Sequence, residues 1–390
     1  MSFERPYEGL RVVDMSQGVA GPYCAMLLAQ HGADVIKIEP KDGDWARSLG
    51  QEYGDHSAFS IAANLGKRSL VIDLKHKDSQ SIVDKMILDA DVFIEGFRPG
   101  VMDRLGYSYD RLKDLNPGLI YVSVSGFGQA GPMRERPAMD PLLQAFTGFM
   151  SENMGADGIP HRTPLILFDM STALYAQQAV AAALYAKRDL GKGRKIDLSL
   201  MESAAAVQAI RLMDGYREGP YHVASAPSGT FKTQDGWLQM IVVKNIEFEK
   251  LCNAVSWEAL LTDPRFDSNL KRRDHAEFLI GEARTLFATN TTDHWRALLT
   301  KAGVQNEKVQ SYREFAKHPQ AAAVEAVAWL KQAGSDDAWP VPNVPGTPKL
   351  TQDEKHAISP TIGQHTREIL ADYGYDSEKL EKLTTEGVII

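Results

Sequence analysis

The sequence predicts an α/β protein with a mostly parallel sheet. Three observations carry the prediction. Short apolar runs alternate with helical stretches through the first half of the chain. Proline and glycine mark the ends of the first helical stretch. The composition changes after about residue 219, where a smaller domain is expected. At 390 residues the chain is long enough for two or three domains, and its 44% hydrophobic content supplies a sizeable core.

Leu10-Arg11-Val12-Val13-Asp14 reads as the first strand. A helix follows from Pro22 to His31, with proline suiting its first turn and Gly32 its end. Asp34 to Glu39 and Ser69 to Leu74 are further strands, and Asp78 to Asp89 is a helix. Asp91 to Glu95 and Leu119 to Ser125 complete the βαβ rhythm, which implies helices on both faces of the sheet. In such sheets ligands collect at the carboxyl ends of the strands. An alanine-rich helix spans Ala173 to Lys187, then Lys195 to Ser199 is a strand and Met201 to Tyr216 a helix. Residues 219–229 read as a loop, and Phe231 to Val243 as a hairpin around Gln234-Asp235-Gly236. Helices are expected at Glu247 to Ala254, Arg273 to Phe287 and Asp293 to Ala302. Pro340-Val341-Pro342-Asn343-Val344-Pro345 reads as an extended linker, and helices near Thr366–Tyr373 and Ser377–Leu383 close the chain.

Charge and cysteine usage narrow the function classes. Forty-three basic and 51 acidic side chains leave a net charge of −8, which argues against a general nucleic-acid or anionic-membrane binder. Cys24 and Cys252 lie far apart, and the ten histidines are scattered, so neither a disulfide framework nor a metal-ligand spacing is visible. The N-terminus lacks a signal-peptide core and no apolar run approaches a membrane span. A soluble, cytoplasmic protein with no membrane or nucleic-acid partner is expected.

Asp169 is the leading candidate for chemistry. It stands in Leu167-Phe168-Asp169-Met170-Ser171-Thr172, where an apolar stretch meets the alanine-rich helix. A carboxylate there lies beside unpaired helix N–H groups. With an ordinary value near ~3.9 it is ionised at neutral pH and can attack an activated acyl group. The plainer expectation is a helix cap. Gly126-Phe127-Gly128-Gln129-Ala130-Gly131 matches G-x-G-x-x-G after a strand, but Pro132 and Pro137 prevent a helix, so it reads as a loop for close backbone approach. Lys37, Lys67, Arg68, Lys75, Arg98 and Arg104 fall in or near strand ends; singly they read as solvated charge, together they could hold a phosphate-bearing ligand. Met133, Met139, Met150, Met154 and Met170 read first as core and second as a thioether-lined acyl pocket.

These segments together resemble the family III CoA-transferases (the CaiB/BaiF family), the group that contains formyl-CoA transferase and carnitine CoA-transferase. The resemblance starts at Gly9–Asp14, Ala20-Gly21-Pro22 and Gly32–Glu39. It continues through Asn64-Leu65-Gly66-Lys67-Arg68-Ser69, Asp73-Leu74-Lys75 and Glu95-Gly96-Phe97-Arg98-Pro99-Gly100. Asn116-Pro117, Ser125–Gly128, Gly191–Arg194 and Gly363-Gln364-His365-Thr366…Ile369-Leu370 complete it. It implies a large Rossmann-like domain built from both chain ends (1–215, with 326–390 as linker and return), a small α+β domain at 225–325, and an interlocked homodimer.

By position, the resemblance makes Asp169 the nucleophile. It places Gln17, Gly18, Leu74, Lys75, Phe97, Arg98, Arg104, Met139 and Asp140 around the coenzyme. CoA or acyl-CoA is then a substrate, with no permanently bound cofactor, and the second substrate is a small carboxylic acid. Helix N–H groups after Asp169 are expected to stabilise the tetrahedral oxyanions. His161, Arg162, Tyr175 and the Ser225–Gly229 loop are candidates for shaping the acyl pocket. Gly96 replaces the common asparagine, Ala173 the frequent glycine, and Ser225–Gly229 lacks the glycine run of the formyl enzyme. The alternatives are an α-methylacyl-CoA racemase, disfavoured because Ala138-Met139-Asp140 stands where racemases carry Gly-His-Asp, and a non-catalytic CoA-binding protein.

Overall fold

The structure is a computed structural model that describes residues 2–155, 157–218, 223–352 and 354–390, without the side chain of residue 218. The beginning of the expected 219–229 loop therefore lies outside the described residues. Contacts divide the chain into two units, one of Met1–Arg217 with Ala322–Ile390 and one of Glu218–Ala321.

The first unit is built on six parallel strands. They are β1 (Arg11–Asp14), β2 (Asp34–Glu39), β3 (Arg68–Val71), β4 (Val92–Glu95), β5 (Ile120–Ser125) and β6 (Arg194–Ser199). Their spatial order is β3-β2-β1-β4-β5-β6. Val12 of β1 lies opposite Val35 of β2 on one side and Val92 of β4 on the other. Side chains alternate between faces. Val12, Val35, Val92, Ile94 and Val122 pack with Leu28, Ala176 and Val180 from the helices Ala20–Gln30 and Leu167–Leu190. Val13, Ile36, Phe93 and Tyr121 face the other way, onto Ile82, Met86, Ile369, Leu370, Leu380 and Ile389. The end of the chain thus covers the second face of the sheet, and the order reverses between β1 and β4, which opens a crevice at their carboxyl ends.

The second unit pairs β7 (Gly229–Lys232), β8 (Trp237–Ile241) and β9 (Gln305–Lys308) antiparallel, with the Asp235-Gly236 turn joining the first two. Phe231, Leu238, Met240, Phe248, Leu279, Phe287 and Trp295 form its core with the helices Asn245–Val255, Ala276–Phe287 and Thr292–Ala302.

Several sequence expectations change. The proline-rich strip is not wholly a linker. Trp339–Pro342 forms β11, paired antiparallel with β10 (Val327–Leu330), because a two-stranded ribbon has only edges and tolerates prolines that donate no hydrogen bond. The stretch 201–216 splits into helices Leu200–Val207 and Ala209–Glu218 at Gln208, and 273–287 splits at His275. The alanine-rich helix begins at Leu167, so Asp169 sits inside its first turn. Among the described residues no helix is long and apolar enough to cross a membrane.

Candidate active site

The turns that follow β1 and β4 line a cavity at the crevice. After Asp14 the chain turns through Met15-Ser16-Gln17-Gly18 into the helix Ala20–Gln30; after Glu95 it turns through Gly96-Phe97-Arg98. These two turns meet Trp45, the loop at Gly126, the segment Arg134–Met139 and the start of the Leu167–Leu190 helix around one cavity. Gln17, Phe97, Arg98, Met139 and Asp169 line it. A second cavity, lined by Leu74, Lys75, Lys41, Ile38 and Leu105, shares Gln17 and Phe97 with the first. The Gly126 loop comes close enough to Ala138 that a side chain at residue 126 would collide with it, which is the close backbone approach the glycine pattern implied.

The structure separates three predicted residues from these walls. Gly18 lies beneath Trp45 rather than at a cavity surface. Arg104 is exposed on the short helix Val101–Arg104, outside both linings. Asp140 is buried behind Asp169 and touches neither cavity. His161 is exposed and paired with Asp157 at 3.2 Å, and neither it nor Arg162 nor Tyr175 lines the two cavities. The Ser225–Gly229 loop belongs to the second unit, where the carbonyl of the buried Ala226 accepts a hydrogen bond from Arg272 Nε at 3.1 Å. Trp45, Arg134 and Arg136 line the first cavity but carry no pattern in the sequence that marks them.

Asp140 explains why Asp169 is not a helix cap. Its carboxylate accepts the N–H of Phe168 at 2.6 Å and of Asp169 at 3.3 Å, and Gln144 holds it at 2.5 Å. Gln144 also receives the Thr163 N–H at 2.9 Å, fixing the approach to the helix. The cap therefore comes from another helix, Asp140–Phe146, and the side chain of Asp169 is left with no hydrogen-bond partner among the described residues. Two expectations fall here. The N–H groups of Phe168 and Asp169 are already bonded to Asp140, and that of Met170 to the Ile166 carbonyl, so these are not free for an oxyanion. Nor is Asp169 an ordinary acid: burial, then the negative charge of Asp140, push it up to about 7.

A contrasting set of charges lies under the Gln17 turn. Lys67 donates to Asp14 at 2.7 Å, Asn64 at 2.9 Å and the Pro22 carbonyl at 2.8 Å. Lys37 donates to Asp44 at 2.8 Å and to the Ser16 carbonyl. Arg47 forks onto Glu39 with two 2.7 Å bonds. Burial pushes Asp14 up, but Lys37 and Lys67 outweigh it and hold it below the ordinary carboxylate value. Burial pulls Lys67 down to about 8. Lys37 and Lys67 are thus interior ion-pair members, not phosphate ligands. Arg68 is occupied by Asp34, Glu368 and Asp372. Lys75 and Arg98 remain as cations on the cavity walls, joined by Lys41, Arg134 and Arg136. Glu95, at the end of β4, receives the Phe97 N–H at 2.8 Å and the Ser123 hydroxyl, which orders the Gly96–Arg98 turn; burial pushes it up to about 7.

Comparison with known proteins gives the same family from sequence and from structure. A family model described as CoA-transferase family III matches residues 7–366. An acetyl-CoA:oxalate CoA-transferase of Acetobacter aceti is 35% identical over 366 residues, covering 89% of this chain and 93% of that protein. A succinate–glutarate CoA-transferase of Agrobacterium fabrum is 32% identical, covering 97% of this chain and 98% of that protein. A crystal structure of a CAIB/BAIF family protein from Brucella suis superposes with a TM-score of 0.83 at 28% identity, covering 95% of this chain and 100% of that one. The chain belongs to CoA-transferase family III and is a CoA-transferase.

Proposed function

We propose that the enzyme moves CoA from an acyl-CoA to a small carboxylic acid with Asp169 as the nucleophile. The observation that carries the proposal is a carboxylate on the wall of the first cavity with no donor to satisfy it among the described residues, at the start of a helix that another carboxylate caps. In its ionised form Asp169 attacks the thioester carbonyl. The C–S bond breaks, CoA thiolate leaves, and a mixed aspartyl anhydride forms. The thiolate then attacks the Asp169 carbonyl of the anhydride, giving aspartyl-CoA thioester and releasing the donor acid. The acceptor carboxylate attacks that thioester, CoA thiolate leaves again, and a second anhydride forms. CoA takes the acyl group from this anhydride, and Asp169 is regenerated.

Phe97, Leu74 and the cations Lys75 and Arg98 are assigned to CoA, since they line the two joined cavities. Gln17 is assigned to the thioester: it lines both cavities, and its amide has no partner among the described residues, so it can donate to a developing oxyanion. Gly18 and Asp140 serve the same site indirectly, through the Gln17 turn and the helix cap. Met139 offers no proton to exchange at an α-carbon, which favours transfer over racemisation. The homodimer is supported by the exposed apolar side chains Val207, Ile210, Leu212, Met213 and Tyr216 on consecutive helices. A cytoplasmic setting agrees with two free, buried thiols, Cys24 and Cys252.

The test is direct. The wild-type protein incubated with acyl-CoA alone yields a peptide adduct at Asp169 by mass spectrometry, and Asp169→Ala yields none while still binding CoA. Substantial turnover by that variant overturns the nucleophile assignment.

A further inference from the structure

We propose that Asp44 is a positioning residue that latches two walls of the Asp169 cavity, the Gln17 turn and the Trp45 indole, onto a single carboxylate. The inference rests on reading that cavity as the site of acyl transfer. Asp44 is buried at the end of the loop after β2. One of its oxygens accepts the Gly18 N–H at 2.9 Å and the Ala46 N–H at 3.0 Å. The other accepts Lys37 at 2.8 Å and lies 3.2 Å from the same Gly18 nitrogen. The Ala46 bond caps the short 3₁₀ turn Trp45–Ser48 and so fixes the backbone of Trp45. The Gly18 bond fixes the residue after Gln17. Lys37, paired with Asp44, holds the carbonyl of Ser16, the residue before Gln17.

Gln17 is therefore pinned on both sides by one ion pair, and that pair also sets where Trp45 stands. The two walls touch as well. Gly18 has a φ of +82°, and a methyl group there would run into the Trp45 ring. Such tight contact makes the position of the indole depend on the turn, and the turn on the indole. Asp44 does not line the cavity, yet it is placed to hold both groups that share its wall with Asp169. A buried ion pair is a poor source of stability by itself. Here it supplies two opposed hydrogen-bonding groups at fixed spacing, an acceptor for Gly18 and a donor for Ser16.

The experiment measures exchange of isotope-labelled CoA into acetyl-CoA or succinyl-CoA, whichever the wild-type enzyme uses better, for full-length Asp44→Asn, Trp45→Ala and the double variant. CoA binding and thermal unfolding are followed in parallel. Each single variant is expected to slow maximal exchange by about tenfold or more, because small misplacements of reacting groups cost rate rather than binding. The KM for the acyl-CoA is expected to stay within roughly threefold. The double variant is expected to be no slower than the slower single one, since both act through the same contact. Multiplied losses in the double variant, or wild-type exchange by Asp44→Asn, overturn the proposal.

If Asp44→Asn does not fold, Gly18→Ala decides, because it leaves every ion pair in place. Backbone strain at a φ of +82° slows exchange in both backgrounds, so the readout is the difference: the loss should be several-fold larger in the Trp45 protein than in the Trp45→Ala protein, and equal loss in both overturns the latch. Failure of the parent reading looks different: it is exchange that persists in Asp169→Ala, whereas the coupling of residues 44, 18 and 45 is read with Asp169 intact.

Discussion

Asp14 and Asp169 are both buried or half-buried aspartates a short distance in sequence from a strand or helix end, yet their surroundings are opposite. Asp14 meets Lys67, the Ser16 N–H at 3.0 Å and the Ser16 hydroxyl, and is held below the ordinary range. Among the described residues Asp169 meets no donor; it faces a second carboxylate and is raised to about 7. On the proposed assignment of Asp169 as nucleophile, the contrast separates charge used to build from charge kept for reaction. A saturated carboxylate has no lone pair to offer a thioester. An unsatisfied one retains its nucleophilicity, at a cost in stability that the fold bears.

The largest effect expected is on turnover. Asp169→Ala should lower it by about 10⁴-fold or more, the scale seen when an attacking group is removed, while the saturated cluster leaves the fold intact; steady-state assay and circular dichroism check both halves. Next, breaking the saturated side should cost stability rather than chemistry. Lys67→Met leaves Asp14 without its closest cation, and removal of one partner of a buried pair costs about 3–5 kcal/mol. Denaturant unfolding reads this directly, and an unchanged midpoint would erase the distinction drawn between the two aspartates.

Asp169→Asn should act the other way. The folded value of Asp169, about 7, stands above its unfolded value. The folded state therefore binds the extra proton between the two values, and its stability falls as pH rises through that window. Removing the charge should stabilise the protein at pH 8 by roughly 1–3 kcal/mol, since each pH unit separating the folded and unfolded values is worth about 1.4 kcal/mol, and the gain should shrink by pH 5. Thermal unfolding of both proteins at the two pH values measures it. The smallest effect concerns the neighbour. Turnover should climb with pH through about 7 as Asp169 loses its proton. Glu95 is also raised to about 7, so the profile of the wild type alone does not assign the group. Asp140→Asn removes the repulsion felt by Asp169 only, and should move the midpoint to lower pH by up to about one unit. A midpoint that stays in place assigns the titration to Glu95.

Much of the fold is legible from alternation. The six parallel strands lie between helical stretches, and each is expected within a few residues of where it lies. Their order is not, because which strand sits beside which is decided by how helices pack across the sheet, and with it the crevice between β1 and β4. The proline-rich strip reads as a linker for a local reason: proline argues against a central strand but not against an edge. The site is legible as far as its motifs reach. Gln17, Phe97, Arg98, Leu74 and Lys75 fall together on the cavity walls. Lys37 and Lys67 look like available cations because the sequence does not show that Asp14 and Asp44 stand opposite them. Asp140 lies 29 residues from Asp169, and no periodicity connects a carboxylate with a helix start that far away.

That remote cap has a practical consequence. The acidity of Asp169, the proposed nucleophile, is governed in part by Asp140, which lines neither cavity and is itself held by Gln144. Changes at residues 140 and 144 can retune the working pH of the enzyme while every surface that recognises the acid and the coenzyme stays as it is. An enzyme adapted to a more acidic medium would be sought first among relatives that differ behind the helix start, not among those that differ in the cavity.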